Sequence, residues 1–267
     1  MSDPAELISA PWRLDQPAAL ASVEDGPSEG AAVFLGPSLG TDLSLFDQQI
    51  PELARRYRII RHDLRGHGAS PTSPERFTLA DLAADVVALA DSLGIERFSY
   101  VGVSISGGIG LALAIDYPER LDKLVIMGCA AKWPASESWY ERAARVRRSG
   151  AGLMVDSRPG IWFSERYAEE SAHARQILAV LGSTDAESYA QCCEAIAMFD
   201  VRAKLGRITT PTLVIAGEHD SASPVALQRE IAAGIPESIL AIIPCAWHLP
   251  SLEHHGEFTE LITRFLG

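Results

Sequence analysis

The sequence has few basic residues, few cysteines and no long apolar run. Its 23 Lys and Arg residues face 35 Asp and Glu residues, which gives a formal net charge of -12 at pH 7. Nucleic acids and anionic membranes bind basic surfaces, so we expect neither as a partner. No apolar stretch approaches the roughly 20 residues that span a bilayer. A small anionic substrate is compatible with this composition, because the charge of a pocket can oppose that of the whole chain.

The cysteines favour free thiols over disulfides. The sequence has no Cys-x-x-Cys pair among Cys129, Cys192, Cys193 and Cys245, and the middle two are adjacent, which suits a disulfide framework poorly. Residues 1–6 also lack the basic segment that precedes the apolar core of a signal peptide. These features predict a cytoplasmic protein with reduced, partly buried thiols.

A histidine pair is the one pattern that resembles a metal site. His62 and His67 lie close to Asp63, but no third ligand is obvious and the segment has the pattern of a surface turn. We therefore expect no metal, and no residue pattern requires a cofactor.

Short apolar runs alternate with helical patterns, which is typical of βαβ units around a mostly parallel sheet. A capping box at Thr78 and Asp81 begins the first predicted helix. The predicted helices are residues 78–93, 104–117 and 255–266. The predicted strands are residues 31–35, 57–60, 98–103, 124–127, 211–217 and 239–243.

The middle of the chain interrupts this alternation. Residues 130–206 contain helical segments, aromatics and charges but no convincing strand. We predict that they form a helical cap, inserted into a core domain of residues 1–129 and 207–267. Ligands of open α/β sheets bind beyond the carboxyl ends of the strands, so a cap at that edge would cover the site.

The segment from Gly102 to Gly108 carries the strongest chemical signal. It reads Gly-Val-Ser-Ile-Ser-Gly-Gly and lies between a predicted strand and a predicted helix. A nucleophile elbow needs this context, because its tight turn holds Ser104 in a strained conformation with the hydroxyl in the site. The N–H of Ile105, at the helix N-terminus, is then an expected oxyanion donor. A strand–turn–helix without catalysis is the alternative interpretation.

A serine hydroxyl needs a base, and the α/β-hydrolase fold places serine, acid and histidine in that order along the chain. Asp220 follows the fifth predicted strand and His248 follows the sixth. The sequence therefore predicts an α/β-hydrolase fold with Ser104 as nucleophile, His248 as base and Asp220 as the acid that orients it. The second oxyanion donor should be the N–H of Leu39, in the loop after the first predicted strand.

Four short stretches point to one family: Leu39-Gly40-Thr41-Asp42, Ala130-Ala131-Lys132, Trp162-Phe163 and Asp200-Val201-Arg202. With them the chain resembles the 3-oxoadipate enol-lactonases, α/β hydrolases of aromatic degradation, from about residue 33 to residue 266. Its sheet motifs are shared by many α/β hydrolases, and three residues depart from the family pattern. Ser106 replaces the usual glycine, Pro37 stands where asparagine is frequent, and Phe46 stands where tryptophan is common.

The resemblance implies hydrolysis of an anionic five-membered enol-lactone through a serine acyl-enzyme, without a cofactor. The acetate arm of this substrate needs a cation, for which two basic cap residues come ahead of Arg166 and Arg202. Two cap tryptophans could form pocket walls, and a serine lies next to Leu39. The residues that we expect to bind substrate are Ser38, Lys132, Trp133, Arg142 and Trp162.

The sequence is compatible with two other classes of function. A carboxylesterase or a carbon–carbon bond hydrolase would keep the triad and change the pocket. A non-catalytic binding protein of the same fold would typically lack a triad member, whereas Ser104, Asp220 and His248 are all present.

Overall fold

A computed structural model describes residues 16–267 of the chain. Within this range seven strands form one sheet, in the order β1-β3-β2-β4-β5-β6-β7. The first strand runs antiparallel to its neighbour, and the other pairs are parallel. The strands are Ser22–Asp25 (β1), Ala31–Gly36 (β2), Tyr57–His62 (β3), Phe98–Val103 (β4), Leu121–Met127 (β5), Thr212–Gly217 (β6) and Ile239–Ile243 (β7).

Helices connect the strands and cover the sheet. The α-helices are Ile50–Leu53 (α1), Leu79–Ser92 (α2), Ile105–Asp116 (α3), Ser136–Ser149 (α4), Glu165–Glu170 (α5), Ala172–Ser183 (α6), Ala186–Met198 (α7), Val225–Gly234 (α8), Pro250–Glu253 (α9) and His255–Leu266 (α10). Short 3-10 helices occupy Leu43–Phe46, Pro118–Arg120, Ala151–Ser157 and Arg202–Arg207. Helices α4 to α7 all lie between β5 and β6, and residues 128–211 are called the helical insertion below.

The central strands explain why the sheet holds together. Both β4 and β6 are buried along their whole length, and a parallel strand covered on both faces needs a nearly continuous apolar sequence. Helix α3 packs against β4, β5 and α2, so the small and apolar residues of its first ten positions are all buried. The strands β4 and β5 together with helix α2 therefore hold α3, and with it the junction between β4 and α3, in place.

The mostly parallel α/β architecture predicted from the sequence is confirmed, with small shifts at the ends of strands and helices. The capping box is present, since Thr78 accepts from the N–H of Asp81 and the Asp81 carboxylate accepts from the N–H of Thr78. Strand β1 was not predicted, and neither were the core helices α1, α8 and α9. Strand β1 is short and partly exposed. Its sequence, Ser-Val-Glu-Asp, lacks the apolar run that marks the central strands, and this is why the pattern did not predict it.

Two observations concern the wider chemistry of the described chain. None of its helices combines the length and the apolar character needed to cross a bilayer. All four cysteines are free; three are buried, and Cys245 is exposed.

Candidate active site

Ser104 lies between β4 and α3 in a conformation that few residues with a side chain adopt. Its φ is 59° and its ψ is -118°, and its N–H donates to the carbonyl of Met127 at 2.7 Å. Such a backbone costs about 1–3 kcal/mol and persists only where its surroundings enforce it. Gly102 is part of that enforcement, because a Cβ there would collide with the carbonyl group of Ser106. The geometry is that of a nucleophile elbow.

Ser106, the departure from the elbow pattern, is accommodated through a hydrogen bond. Its buried hydroxyl donates to the carbonyl of Pro37 at 2.5 Å. Pro37 directly precedes Ser38 and Leu39, so this bond ties the elbow to the loop that carries the expected second oxyanion donor. Two of the three departures from the family pattern, Ser106 and Pro37, therefore contact each other.

Asp220 and His248 form a buried pair at the carboxyl edge of the sheet. The Nδ1 atom of His248 lies 2.8 Å from Oδ2 of Asp220, and each residue is 4% exposed. The other carboxylate oxygen accepts the N–H groups of Ala222 and Ser223, both at 2.8 Å. An acceptor at Nδ1 places the hydrogen on that nitrogen, which leaves Nε2 free to accept a proton.

Gly128 leaves room for this pair. Its φ is +57°, and a Cβ there would lie 3.2 Å from Oδ2 of Asp220 and 3.2 Å from Nδ1 of His248. The sequence interpretation missed this residue. Its position directly after a predicted strand, at the same edge as Asp220 and His248, was the available signal.

One cavity brings most of the expected site residues together. Of these it is lined by Ser38, Leu39, Ser104, Trp133, Arg142, Trp162 and His248. Asp220 lies behind His248, and Ile105 is a fully buried residue at the start of α3, where the N–H has no acceptor within the helix. The lining residues that sequence reasoning missed are Trp139, Arg158, Tyr189, Ile196, Ala222 and Ser223.

Lys132 is the expected substrate residue that the structure does not bring to the cavity. Its ammonium nitrogen lies 3.3 Å from a carboxylate oxygen of Asp200, to which Arg202 also binds at 2.8 Å. Arg166 pairs with Glu170 and its side chain is 83% exposed. Nearby carboxylates therefore already neutralise these basic groups. The sequence alone did not predict these ion pairs.

Two arginines of the helical insertion give the cavity its charge. Arg142 lies over the ring of Trp139, 4.3 Å from its centroid, and its charge acts on the nearby Tyr189 hydroxyl. Arg158 is 7% exposed, and its Nε is buried without a hydrogen-bond partner in the described part of the chain. Burial lowers the pKa of Arg158, and the positive charge of Arg142 adds to that effect. A bound anion would relieve both penalties.

The metal hypothesis finds no support in the geometry. Across residues 16–267, no group of three or more His, Cys, Asp or Glu side chains could hold an ion. His62 and His67 are buried, and the Nδ1 of His67 is already engaged with the carbonyl of Arg65 at 2.9 Å.

Comparison with known proteins identifies the family. A model of the alpha/beta hydrolase fold matches residues 31–151. The chain is 35% identical to a 3-oxoadipate enol-lactonase of Acinetobacter baylyi, over 89% of each chain. It is 30% identical to a putative carbamate hydrolase of Variovorax paradoxus, over 91% of this chain and 94% of the relative.

A solved structure supports the same assignment. The enol-lactonase of Burkholderia xenovorans superimposes with a TM-score of 0.89 and 35% identity, covering 92% of this chain and 96% of that one. These relatives are named as enol-lactonases and as a putative carbamate hydrolase, and the matches span the sheet and the helical insertion alike. This protein is accordingly a hydrolase, and it belongs to the 3-oxoadipate enol-lactonase family of the α/β-hydrolase superfamily.

Proposed function

We propose that the protein hydrolyses a small anionic enol-lactone, 3-oxoadipate enol-lactone, through a serine acyl-enzyme. The cavity carries this proposal: Ser104 and His248 share it with two guanidinium groups, and no described lining residue bears a carboxylate. A substrate with a negatively charged arm gains most from such a cavity. The enol-lactonase relatives support the same class of substrate.

The reaction begins with attack of the Ser104 hydroxyl oxygen on the lactone carbonyl. His248 takes the hydroxyl proton at Nε2, while Asp220 holds the ring in the required tautomer and stabilises the imidazolium. The N–H groups of Ile105 and Leu39 donate to the oxyanion as it forms. Each such donor contributes about 3 kcal/mol to the transition state.

Ring opening expels an enolate, which is a better leaving group than an alkoxide. The step therefore needs less help from a general acid than cleavage of an amide does. The enol becomes a ketone, which makes hydrolysis effectively irreversible. Water, activated by His248, then cleaves the acyl-enzyme and regenerates Ser104.

The carboxylate arm binds at the arginines of the insertion. Arg158 is the stronger candidate because its charge is buried and lacks a carboxylate partner among the described residues. Arg142 is half-buried and already lies over the Trp139 ring, so it contributes a longer-range charge. Residues 130–206 act as the cap that excludes water from this cavity. We place the enzyme in the cytoplasm, in line with its free thiols.

The test is loss of the ultraviolet absorbance of 3-oxoadipate enol-lactone with the purified protein and with Ser104→Ala. We expect fast loss with the parent and none with the variant. Hydrolysis of nitrophenyl acetate without hydrolysis of the lactone would retain the triad and reject the substrate. Failure of the parent on both compounds would reject the triad as well.

The carbamate hydrolase relatives supply the rival substrate class, because they cover the chain as fully as the lactonases do. Cleavage of a carbamate expels an amine, which must be protonated as it leaves, whereas an enolate need not be. A carbamate turned over faster than the enol-lactone, with loss in Ser104→Ala, would therefore favour the rival over the lactonase proposal.

A further inference from the structure

The helical insertion binds the main chain at His248 directly. The N–H of His248 donates to the carbonyl of Ile161 at 3.2 Å, and the N–H of Leu249 donates to the carbonyl of Trp162 at 2.7 Å. Both donors belong to the loop after β7, and both acceptors belong to the insertion. The backbone that carries the imidazole is therefore held from above, by the insertion, as well as from the sheet below.

The acceptor segment, residues 158–164, is a closed turn. The N–H groups of Ile161 and Trp162 donate to the carbonyl of Arg158 at 3.0 and 2.8 Å, and the N–H of Gly160 donates to the carbonyl of Phe163 at 2.8 Å. The side chains of Arg158 and Trp162 line the cavity. The segment thus presents side chains to the substrate and carbonyl oxygens to the His248 loop.

Glu253 fixes the far end of this segment. One of its carboxylate oxygens accepts the N–H of Ser164 at 2.8 Å, and the other accepts the Ser164 hydroxyl at 2.5 Å. Ser164 is also the N-cap of α5, where its hydroxyl oxygen accepts from the N–H of Tyr167. Glu253 ends α9, five residues after His248. The contacts therefore close a ring from the His248 loop through the insertion and back to the same loop.

We propose that Glu253 is a positioning residue, which sets the orientation of His248 toward Ser104 by holding segment 158–164 against the His248 loop. The Glu253 side chain lies outside the residues that line the cavity and acts through Ser164. Bonds to a charged acceptor are shorter and stronger than neutral ones, which suits an anchor for a loop. This role rests on the proposed function of His248 as the base.

The variant Glu253→Ala removes both contacts to Ser164. The conservative variant Glu253→Gln retains an acceptor for the Ser164 N–H, and its amide can donate to the Ser164 hydroxyl oxygen. Glu257→Ala is the matched control, since Glu257 is an exposed glutamate on the adjacent helix α10. A fluorophosphonate probe then measures two quantities: the final labelled fraction, which counts folded sites, and the labelling rate, which reports activation of Ser104.

We expect Glu253→Ala to reach the parent's labelled fraction at a rate lower by about tenfold or more, because a 1 Å misplacement can cost on the order of 100-fold. With nitrophenyl acetate its kcat should fall by a similar factor while KM stays within about twofold. Glu253→Gln should recover most of the rate, and Glu257→Ala should match the parent.

Parent-like labelling rates in Glu253→Ala, with or without a smaller labelled fraction, would overturn the positioning role. A smaller fraction alone would mean that Glu253 only stabilises the fold. Failure of the proposed function gives a different pattern, since the parent would then be labelled no faster than Ser104→Ala.

Discussion

Replacing Arg158 with methionine should stabilise the protein and remove its preference for anionic substrates. Arg158 is 7% exposed, its Nε has no hydrogen-bond partner among the described residues, and Arg142 stands nearby. A buried polar group without its partner costs about 1–3 kcal/mol. Methionine has a similar length and no charge, so the variant keeps most of the packing and loses that cost.

The gain is reduced by loss of the hydrogen bond from Nη2 of Arg158 to the Ser157 hydroxyl. We therefore expect a net stabilisation of about 1–2 kcal/mol, which raises Tm by about 2–4 °C for a chain of this size. Scanning calorimetry without substrate measures this rise in Tm. The control is Arg166→Met, because the Arg166 side chain is 83% exposed and should leave Tm within about 1 °C.

The loss of activity in Arg158→Met should appear with the anionic lactone. A buried charge-assisted bond to a carboxylate contributes about 3 kcal/mol, so kcat/KM should fall on the order of 100-fold. For nitrophenyl acetate, which has no anionic arm, the change should stay below about threefold. Equal losses on the two substrates would refute the assignment of Arg158 as the anion site, and a lower Tm would refute the argument that its charge is poorly compensated.

Three further perturbations test other contacts. Gly128→Ala and Gly94→Ala both force a side chain into positive φ, at about 1–2 kcal/mol each, and the Cβ at 94 would meet no other atom. Only Gly128 faces the Asp220–His248 pair, so only its variant should lose kcat, by about tenfold or more; equal kcat values would contradict this. Ser106→Ala leaves the Pro37 carbonyl unpaired and should lower the free energy of unfolding by about 1–3 kcal/mol. An unchanged midpoint of urea unfolding would count against this hydrogen bond. Burial lowers the pKa of His62 from 6.5 to about 4, so between these pH values the unfolded chain binds a proton at His62 that the folded chain does not bind. Stability should therefore fall by ~3 kcal/mol as the pH drops from 6.5 to 4, and the fall should be smaller in His62→Gln; identical pH curves for parent and variant would exclude His62 as its source.

The sequence predicted the parts of the fold that depend on local pattern. The buried strands β4 and β6 are apolar throughout, and the Thr78 capping box is a contact between residues three apart. The elbow was recognisable because its glycine, its serine and the strand–helix change lie within a few residues. The order of Ser104, Asp220 and His248 along the chain then followed from the fold.

The remaining features depend on contacts between distant segments. Strand β1 owes its place to pairing with β3, since its own sequence is polar and partly exposed. Arg158 and Lys132 look alike in sequence as basic residues of the insertion. They differ because Asp200 lies beside Lys132, whereas Arg158 is buried in the cavity. No local pattern distinguishes these two environments.

The bonds from the His248 loop to the insertion end on carbonyl oxygens, and every residue has a carbonyl oxygen. Side chains at 158 and 162 can therefore be exchanged for new substrates without removing the acceptors that hold the loop. Proline is the exception at 161 and 162, because the N–H groups there keep the turn closed. For directed evolution this separates two tasks within one short segment. Libraries of side chains at 158 and 162 explore substrate choice, whereas insertions and deletions between them, or proline at 161 or 162, should alter how the His248 loop is held.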